Sequence, residues 1–567
     1  MMTYEELSAE RKNLQDQDLL PSFMTTAGWQ LFKSKYLWAK TPREQYQHIA
    51  KTAAKHMEDA PCNLDFAQTW EDAFFQLLWR GWLSPSTPVL ANMGTNRGLP
   101  VSCSGQYVPD SIEGIYEARK ETAILTKHGF GTAGYLGDIR GRGEKISVGG
   151  ISSGVLPVYR GFISDMQYVS QGNTRRGAFA TYLGIDHPDF DEIANSLLAE
   201  PDDANVGWNV TQAFMDKMNS GDEEAIRRFK KAMKVKMITG KGYFFFVDKA
   251  NQQRPQMYID RGLFVRHSQL CNEISLFNDK DHTFTCVLSS MNVALFEDWK
   301  ETNAVFAATV FLDCVVSEFL EQAVWVNGLE KAVRFTEKSR ALGLGACGLH
   351  TYYQKMRYTF GGLEAHLLNN MLFANIKHQA QQASRWLAEE FGEPEWCKGY
   401  GVRNTHLLAI APTKSTALIM GGISEGINPD PAMTYTQLTA AGEVDRVNPV
   451  LLELMKERGV YDQEHIQEIV DAYGSVQGVD WLDEHEKNVF RTAFEIDQTA
   501  ILRQASTRQR HVCQGQSLNL WFAAEEDPKY ISSIYQLAFE DPNIIGIYYC
   551  YSRRNVQSSK GECEACQ

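Results

Sequence analysis

In Ile544-Ile-Gly-Ile-Tyr-Tyr-Cys-Tyr-Ser-Arg553, the stretch Ile544–Tyr549 is a short apolar run, rich in β-branched residues, that ends in two adjacent phenols, Tyr548 and Tyr549. Such a run reads as a buried strand. Two others share the pattern, Val101–Val108 and Tyr243–Val247, and longer amphipathic segments at Asp222–Met237, Glu364–Phe391 and Trp481–Leu502 read as helices. Short buried strands alternating with longer helices predict an α/β architecture with parallel strands. Ahead of it, Tyr46-Gln-His-Ile-Ala-Lys-Thr-Ala-Ala-Lys55 and Trp70-Glu-Asp-Ala-Phe-Phe-Gln-Leu-Leu-Trp79 place apolar residues at helical spacing, so the first eighty or so residues read as helical. No internal repeat occurs.

The tyrosine pair is followed by Cys563 and Cys566, a Cys-x-x-Cys that all but closes the chain. Adjacent phenols pass single electrons, whereas a dithiol supplies two electrons and two protons, so this end of the chain points to radical and redox chemistry. The polar stretch Asn555-Val-Gln-Ser-Ser-Lys-Gly-Glu562 reads as a linker that lets the two cysteines travel. Fourteen residues from Tyr549 to Cys563 reach at most about 46 Å when extended. Read alone, Cys563 and Cys566 are also half a zinc site, but a second Cys or His pair is missing nearby.

Composition narrows the class. With 44% hydrophobic and 22% charged residues, the 567-residue chain has ample material for a large core. No run of about eighteen apolar residues appears, and the N-terminus is acidic where a secretory signal would be basic and then apolar. A cytoplasmic protein without membrane association is expected. Its eleven cysteines then read as reduced thiols rather than a disulfide framework. A net charge of −14 argues against nucleic acid as a partner, and any phosphate-bearing ligand must be held by local amides, hydroxyls and single cations.

Three further cysteines stand in distinctive settings. Cys271 lies in Ser268-Gln-Leu-Cys-Asn-Glu-Ile-Ser275 with a carboxylate two residues on; Cys286 lies in Thr283-Phe-Thr-Cys-Val-Leu-Ser-Ser-Met-Asn292; and Cys103 lies in Leu99-Pro-Val-Ser-Cys-Ser-Gly-Gln106. A lone buried cysteine is usually packing; the combination carries the argument. Ser86-Thr-Pro-Val-Leu90, Ser102-Cys103, Pro109-Asp-Ser111, Ser170-Gln-Gly-Asn-Thr-Arg-Arg-Gly177, Leu270-Cys-Asn-Glu-Ile274, Pro412-Thr-Lys-Ser-Thr416, Gln514-Gly-Gln-Ser-Leu-Asn-Leu520, Tyr548-Tyr549 and the terminal cysteines follow one another in a fixed order. In that order, over nearly its whole length, the chain resembles the large, catalytic α subunit of class I ribonucleotide reductases.

The resemblance implies a ten-stranded α/β barrel over residues 85–550 with a central finger loop, a helical N-terminal region over 1–84 and a flexible redox tail over 551–567. It implies that Cys271, at the finger tip, becomes a thiyl radical and abstracts the 3′-hydrogen of a ribonucleoside diphosphate. Glu273 would take the 3′-OH proton, Cys103 and Cys286 would supply the reducing equivalents and end as a disulfide, and Gln269 would help hold the substrate hydroxyl. Cys563 and Cys566 would clear that disulfide by exchange and be re-reduced by thioredoxin or glutaredoxin. Tyr548 and Tyr549, otherwise ordinary core aromatics, would carry the radical inward from a ferritin-like β subunit that holds a dimetal or radical cofactor. This chain has no Glu-x-x-His pair with which to build such a centre, so no metal is expected in it.

Thr87, Ser102, Thr413, Lys414, Ser415 and Thr416 fall at the family's phosphate-binding positions, though hydroxyl-rich turns before helices also serve as plain N-caps. Asp110 and Ser111, and Arg140 in the Gly-rich stretch Gly137–Gly143, fall where relatives bind a dNTP or ATP specificity effector at a homodimer interface. The Ser170–Gly177 loop would relay that signal to the substrate.

Three features depart from the family pattern. Gln269 stands where Asn is usual; the interval from Cys271 to Cys286 is short, which suggests a trimmed hairpin; and no ATP-cone of about ninety residues precedes the helical region, so an overall on/off activity site is not expected. The alternative within the same chemistry is a cobalamin-dependent class II reductase, which makes its radical in place; the tyrosine pair favours class I. A glycyl-radical lyase shares the barrel but needs a C-terminal glycyl-radical signature that this chain lacks. A binding or scaffold role leaves the ordered cysteines and Glu273 unexplained.

Overall fold

The computed structural model describes residues 3–147, 149–171, 177–202, 205–439 and 442–552. Its N-terminal part is helical: Tyr4–Asp16, Thr26–Leu31, Pro42–Ala54 and Trp70–Trp79. The starts are set by sequence. Thr41 and Thr69 accept from backbone N–H groups of their first turns, and Pro42 occupies a first-turn position that needs no N–H. Tyr46 and Trp79 meet edge to face, and Phe74 meets Phe311 on the buried helix Ala304–Ala323, which joins this region to the rest. Among the described residues no single helix is long and apolar enough to cross a membrane.

The remainder is built around one closed barrel. Cys103–Tyr107, Gly131–Tyr135, Phe179–Gly184, Val206–Val210 and Tyr243–Phe246 pair in that order, all parallel. A second parallel half begins with Phe284–Asn292 and Leu342–Cys347. It continues through residues 408–410, bridged in parallel to Leu344, and 514–518, bridged in parallel to Ile410. Tyr548 N–H donates to Leu518 O at 2.8 Å and completes the ring. The halves run antiparallel at both seams, where Cys103 faces Cys286 and Gly546 faces Phe245. Ten staves result, as the family resemblance implied, although the eighth and ninth are short bridged segments rather than regular strands. The parallel strands are buried almost throughout, which is why they read as continuous apolar runs without alternation.

Two boundaries differ from the sequence reading. Trp481–Leu502 is not one helix but parts of two, Glu484–Val489 and Gln498–Gln509. Asp483 caps the first with a reciprocal capping box and Asp497 caps the second, and between them Phe490 and Ala493 are buried in irregular chain. Nor is Ile544–Tyr549 a single strand. Gly546–Ile547 pairs with Phe244 and Phe245, then the chain changes partner, and Cys550–Ser552 runs parallel to Leu520–Phe522.

Candidate active site

Residues 267–278 are all buried yet belong to no helix or strand; they are the finger, enclosed by the barrel. A segment without secondary structure can be buried only if its polar groups find partners, and here the staves supply them. Tyr182 Oη lies 2.7 Å from Gln269 O and 3.1 Å from Asn272 Oδ1. Asn272 Nδ2 donates to Phe244 O, Gly515 N–H donates to Glu273 O at 2.6 Å, and Ser517 Oγ donates to Cys271 O at 2.8 Å. Asn272 turns the tip in the left-handed region, φ 66°, a conformation that Asn tolerates better than most residues. Gly546 lets the last stave press against it, since a Cβ there would lie 2.6 Å from Asn272 Nδ2. The trimmed hairpin expected after Cys271 is a tight turn closed by Asp279 and His282.

The finger tip faces a cavity lined by Cys271, Glu273, Cys103, Thr87, Ser102, Thr413 and Thr416 together with Ser84, Ser86, Leu288, Ser289, Ser290, Ala411 and Pro412. Its wall carries a hydroxyl-rich rim beside two thiols and a carboxylate, and three buried polar atoms on it, Ser84 Oγ, Glu273 Oε1 and Ser289 Oγ, have no hydrogen-bond partner among the described residues. Buried polar atoms are normally satisfied, so all three suit an incoming polar group.

Burial pushes the Glu273 carboxyl up to about 7, against the opposing pull of hydrogen bonds from Gln269 and Ser517. Gln269 Nε2 donates to Glu273 Oε2 at 2.7 Å and lies 3.5 Å from Cys103 Sγ. The longer amide thus reaches from the carboxylate to the second thiol. Ser517 Oγ is also 3.1 Å from Glu273 Oε2.

Cys103 and Cys286 face each other in register across the antiparallel seam. Cα atoms of such a pair lie about 4.5–5.5 Å apart, within the span of a disulfide. Burial pushes the Cys286 thiol well up, helped by the nearby Glu273, while Gln514 Nε2 stands 4.0 Å from its sulfur.

Tyr548 and Tyr549 join the same buried cluster as Cys271, Cys103 and Cys286. Their ring centroids are 4.2 Å apart, and Tyr548 is fully buried while Tyr549 is 8% exposed. Lys414 and Ser415 do not line the cavity; the Lys414 ammonium stands 5.8 Å from the ring centroids of Tyr549 and Tyr551.

Away from the cavity, Arg140 Nε donates to Asp110 Oδ2 at 2.6 Å, and Ser111 caps the helix Ile112–Lys127 through Gly114 N–H. Within Ser170–Gly177, residues 172–176 lie outside the described part, as do Cys563 and Cys566. His56, Glu318 and Glu321 converge, but the Lys55 ammonium pairs with both carboxylates, at 2.6 and 3.1 Å.

Sequence reading assigned no role to Ser517, Tyr182, Asn272 or Ser289. Ser517 lay inside a quoted motif, so its position was visible and only its partners were not. Tyr182 had no local signal, because its contact with the finger spans 87 positions.

A ten-stave barrel with a cysteine-tipped finger defines a class of radical-dependent reductases and lyases. The family description "Ribonucleotide reductase, barrel domain" matches residues 101–229, 222–396 and 394–550, and "Ribonucleotide reductase, all-alpha domain" matches 22–98. A chain of Frog virus 3 (isolate Goorha), described as a ribonucleoside-diphosphate reductase large subunit, is 36% identical over 86% of this chain and 91% of its own length. The large subunit of Invertebrate iridescent virus 3 is 28% identical over 94% of each. The Actinobacillus ureae class Id ribonucleotide reductase alpha subunit superposes with a TM-score of 0.86 at 34% identity, covering 96% of this chain and 99% of that one. This chain belongs to the ribonucleotide reductase family.

Proposed function

We propose that the chain is the α subunit of a class I ribonucleoside-diphosphate reductase, converting ribonucleotides to 2′-deoxyribonucleotides with a radical imported from a β subunit. The observation that carries this reading is a cavity lined by two thiols and a carboxylate, Cys271 on the finger, Cys103 on the wall and Glu273 with its Oε1 unpartnered among the described residues, with Cys286 paired in register with Cys103 across the seam.

The residue roles are those the family resemblance implies, and the geometry supports them. Thr87, Ser102, Thr413 and Thr416 present hydroxyls for the diphosphate. Cys271, as thiyl, takes the 3′-hydrogen, and Glu273 Oε1 accepts the 3′-OH proton. That weakens the adjacent C–O bond, and the 2′-OH leaves as water with a proton from the thiol pair. Cys103 and Cys286 become a disulfide, giving one proton to the departing water, a hydrogen atom to C2′ and an electron to the 3′-keto group; Glu273 returns its proton to the 3′-oxygen, and Cys271 returns the hydrogen to C3′. Gln269 and Ser517 hold Glu273 Oε2 so that Oε1 faces the substrate. The cofactor of the β subunit supplies the one-electron oxidant. Tyr548 and Tyr549 lead from it, Cys563 and Cys566 carry reducing equivalents from thioredoxin or glutaredoxin, and Asp110, Ser111 and Arg140 receive a dNTP or ATP effector at a homodimer interface.

The deciding experiment is CDP reduction by this chain with dithiothreitol. Turnover is expected only when a cognate β subunit is added. Turnover with adenosylcobalamin in its place would make the chain a class II enzyme.

The pH profile gives a second check. Glu273 accepts a proton only when ionised, and burial holds it protonated below about 7, so kcat/KM should climb through that pH from the acid side. In Ser517→Ala the ionised form loses a supporting hydrogen bond, and the limb should move to higher pH. A limb that stays in place would remove Ser517 from this role.

A further inference from the structure

We infer that Tyr551 is a third redox-active phenol, the outer member of a chain Tyr551–Tyr549–Tyr548 that ends at Cys271; this rests on reading the chain as a class I α subunit.

Three observations carry it. Tyr549 and Tyr551 are two residues apart in extended chain and so share a face, with ring centroids 5.5 Å apart, while Tyr549 and Tyr548 are 4.2 Å apart. The series also grades outward, because Tyr548 is fully buried, Tyr549 nearly so and Tyr551 half-buried. Last, Tyr551 is held flat. The strand Cys550–Ser552 runs parallel to Leu520–Phe522 with Trp521 opposite Tyr551, and the two rings stack at 4.1 Å and 16°. Electronic coupling falls steeply with separation, so ring-to-ring steps between neighbours outrun one long transfer, and a ring locked in orientation keeps its coupling constant.

Lys414 shapes the chemistry of this pair. Its ammonium stands 5.8 Å from the centroids of both Tyr549 and Tyr551. A ring that lost an electron but kept its proton would be a cation beside a cation, which a partly buried setting makes costly. The neutral phenoxyl is favoured, and electron and proton leave together. The electron of Tyr551 passes to the one-electron oxidant presented by the β subunit, and its phenolic proton passes to water at the half-exposed edge. Tyr549 then gives an electron and a proton to restore Tyr551, Tyr548 restores Tyr549, and the Cys271 thiol restores Tyr548. Every phenol ends as it began, and the chain has moved one electron and one proton outward.

The test places 3-aminotyrosine, which is oxidised more easily than tyrosine and traps the radical, at position 551 or, separately, at 548. Each protein is mixed with the cognate β subunit, CDP and ATP, and read by electron paramagnetic resonance. Tyr551→Phe is assayed alongside for CDP reduction and for β-subunit affinity. An aminotyrosyl radical is expected at both positions, and Tyr551→Phe should lose at least tenfold in turnover with its affinity for the β subunit unchanged. A radical at 548 with none at 551 would overturn the role of Tyr551 and leave the class I reading intact. No radical at either would overturn both. A radical at 551 with undiminished turnover in Tyr551→Phe would place Tyr551 off the pathway and refute the inference.

Discussion

Cys271→Ser is expected to reduce turnover to background with every ribonucleotide while the protein folds and binds effector normally. Serine nearly matches cysteine in volume, and the tip is anchored through its backbone, by Ser517 to Cys271 O and by Gly515 to Glu273 O, so the finger keeps its shape. What is lost is an S–H bond weak enough to be opened by a tyrosyl radical; the O–H bond of serine is too strong. Thermal melting and equilibrium binding of a dNTP should match the parent chain, and product analysis by chromatography should find no deoxynucleotide. Measurable product would end the assignment of Cys271 as the radical-bearing thiol.

Cys563→Ser combined with Cys566→Ser should separate one turnover from many. The seam thiols Cys103 and Cys286 can be reduced beforehand, so the variant should yield roughly one product per active site and then stop when thioredoxin is the only reductant. The seam is buried, with Cys103 at 4% and Cys286 at 0% exposure, which shuts out a protein donor. A small dithiol can enter, and steady turnover should return with dithiothreitol. Continued thioredoxin-driven turnover by the double variant would show that the tail is dispensable.

The two expectations draw on different kinds of legibility. Both helices read in the N-terminal region formed where their spacing placed them, Trp70–Trp79 to the residue, because Thr69 and Thr41 are strong caps on sharply amphipathic segments. Trp481–Leu502 misled because apolar spacing continues through Phe490 and Ala493 although the helix does not. Those residues are buried by the irregular chain between two caps, and periodicity cannot distinguish the two cases. The Tyr548 strand was likewise read too long, since a change of pairing partner leaves no mark in the apolar run.

The sequence by itself determined the class of chemistry: phenols beside one another, cysteines and a carboxylate in fixed order, and buried strands alternating with helices are properties of residue type and spacing. Tertiary structure alone decided which groups meet. Cys103 faces Cys286, 183 positions along the chain, because two halves of the barrel close antiparallel, and burial lifts the Glu273 carboxyl because the finger that carries it is enclosed. Lys414, read as a phosphate ligand, lies over Tyr549 and Tyr551. Register, burial and the direction of a long side chain are set by packing among distant segments, and no local pattern encodes them.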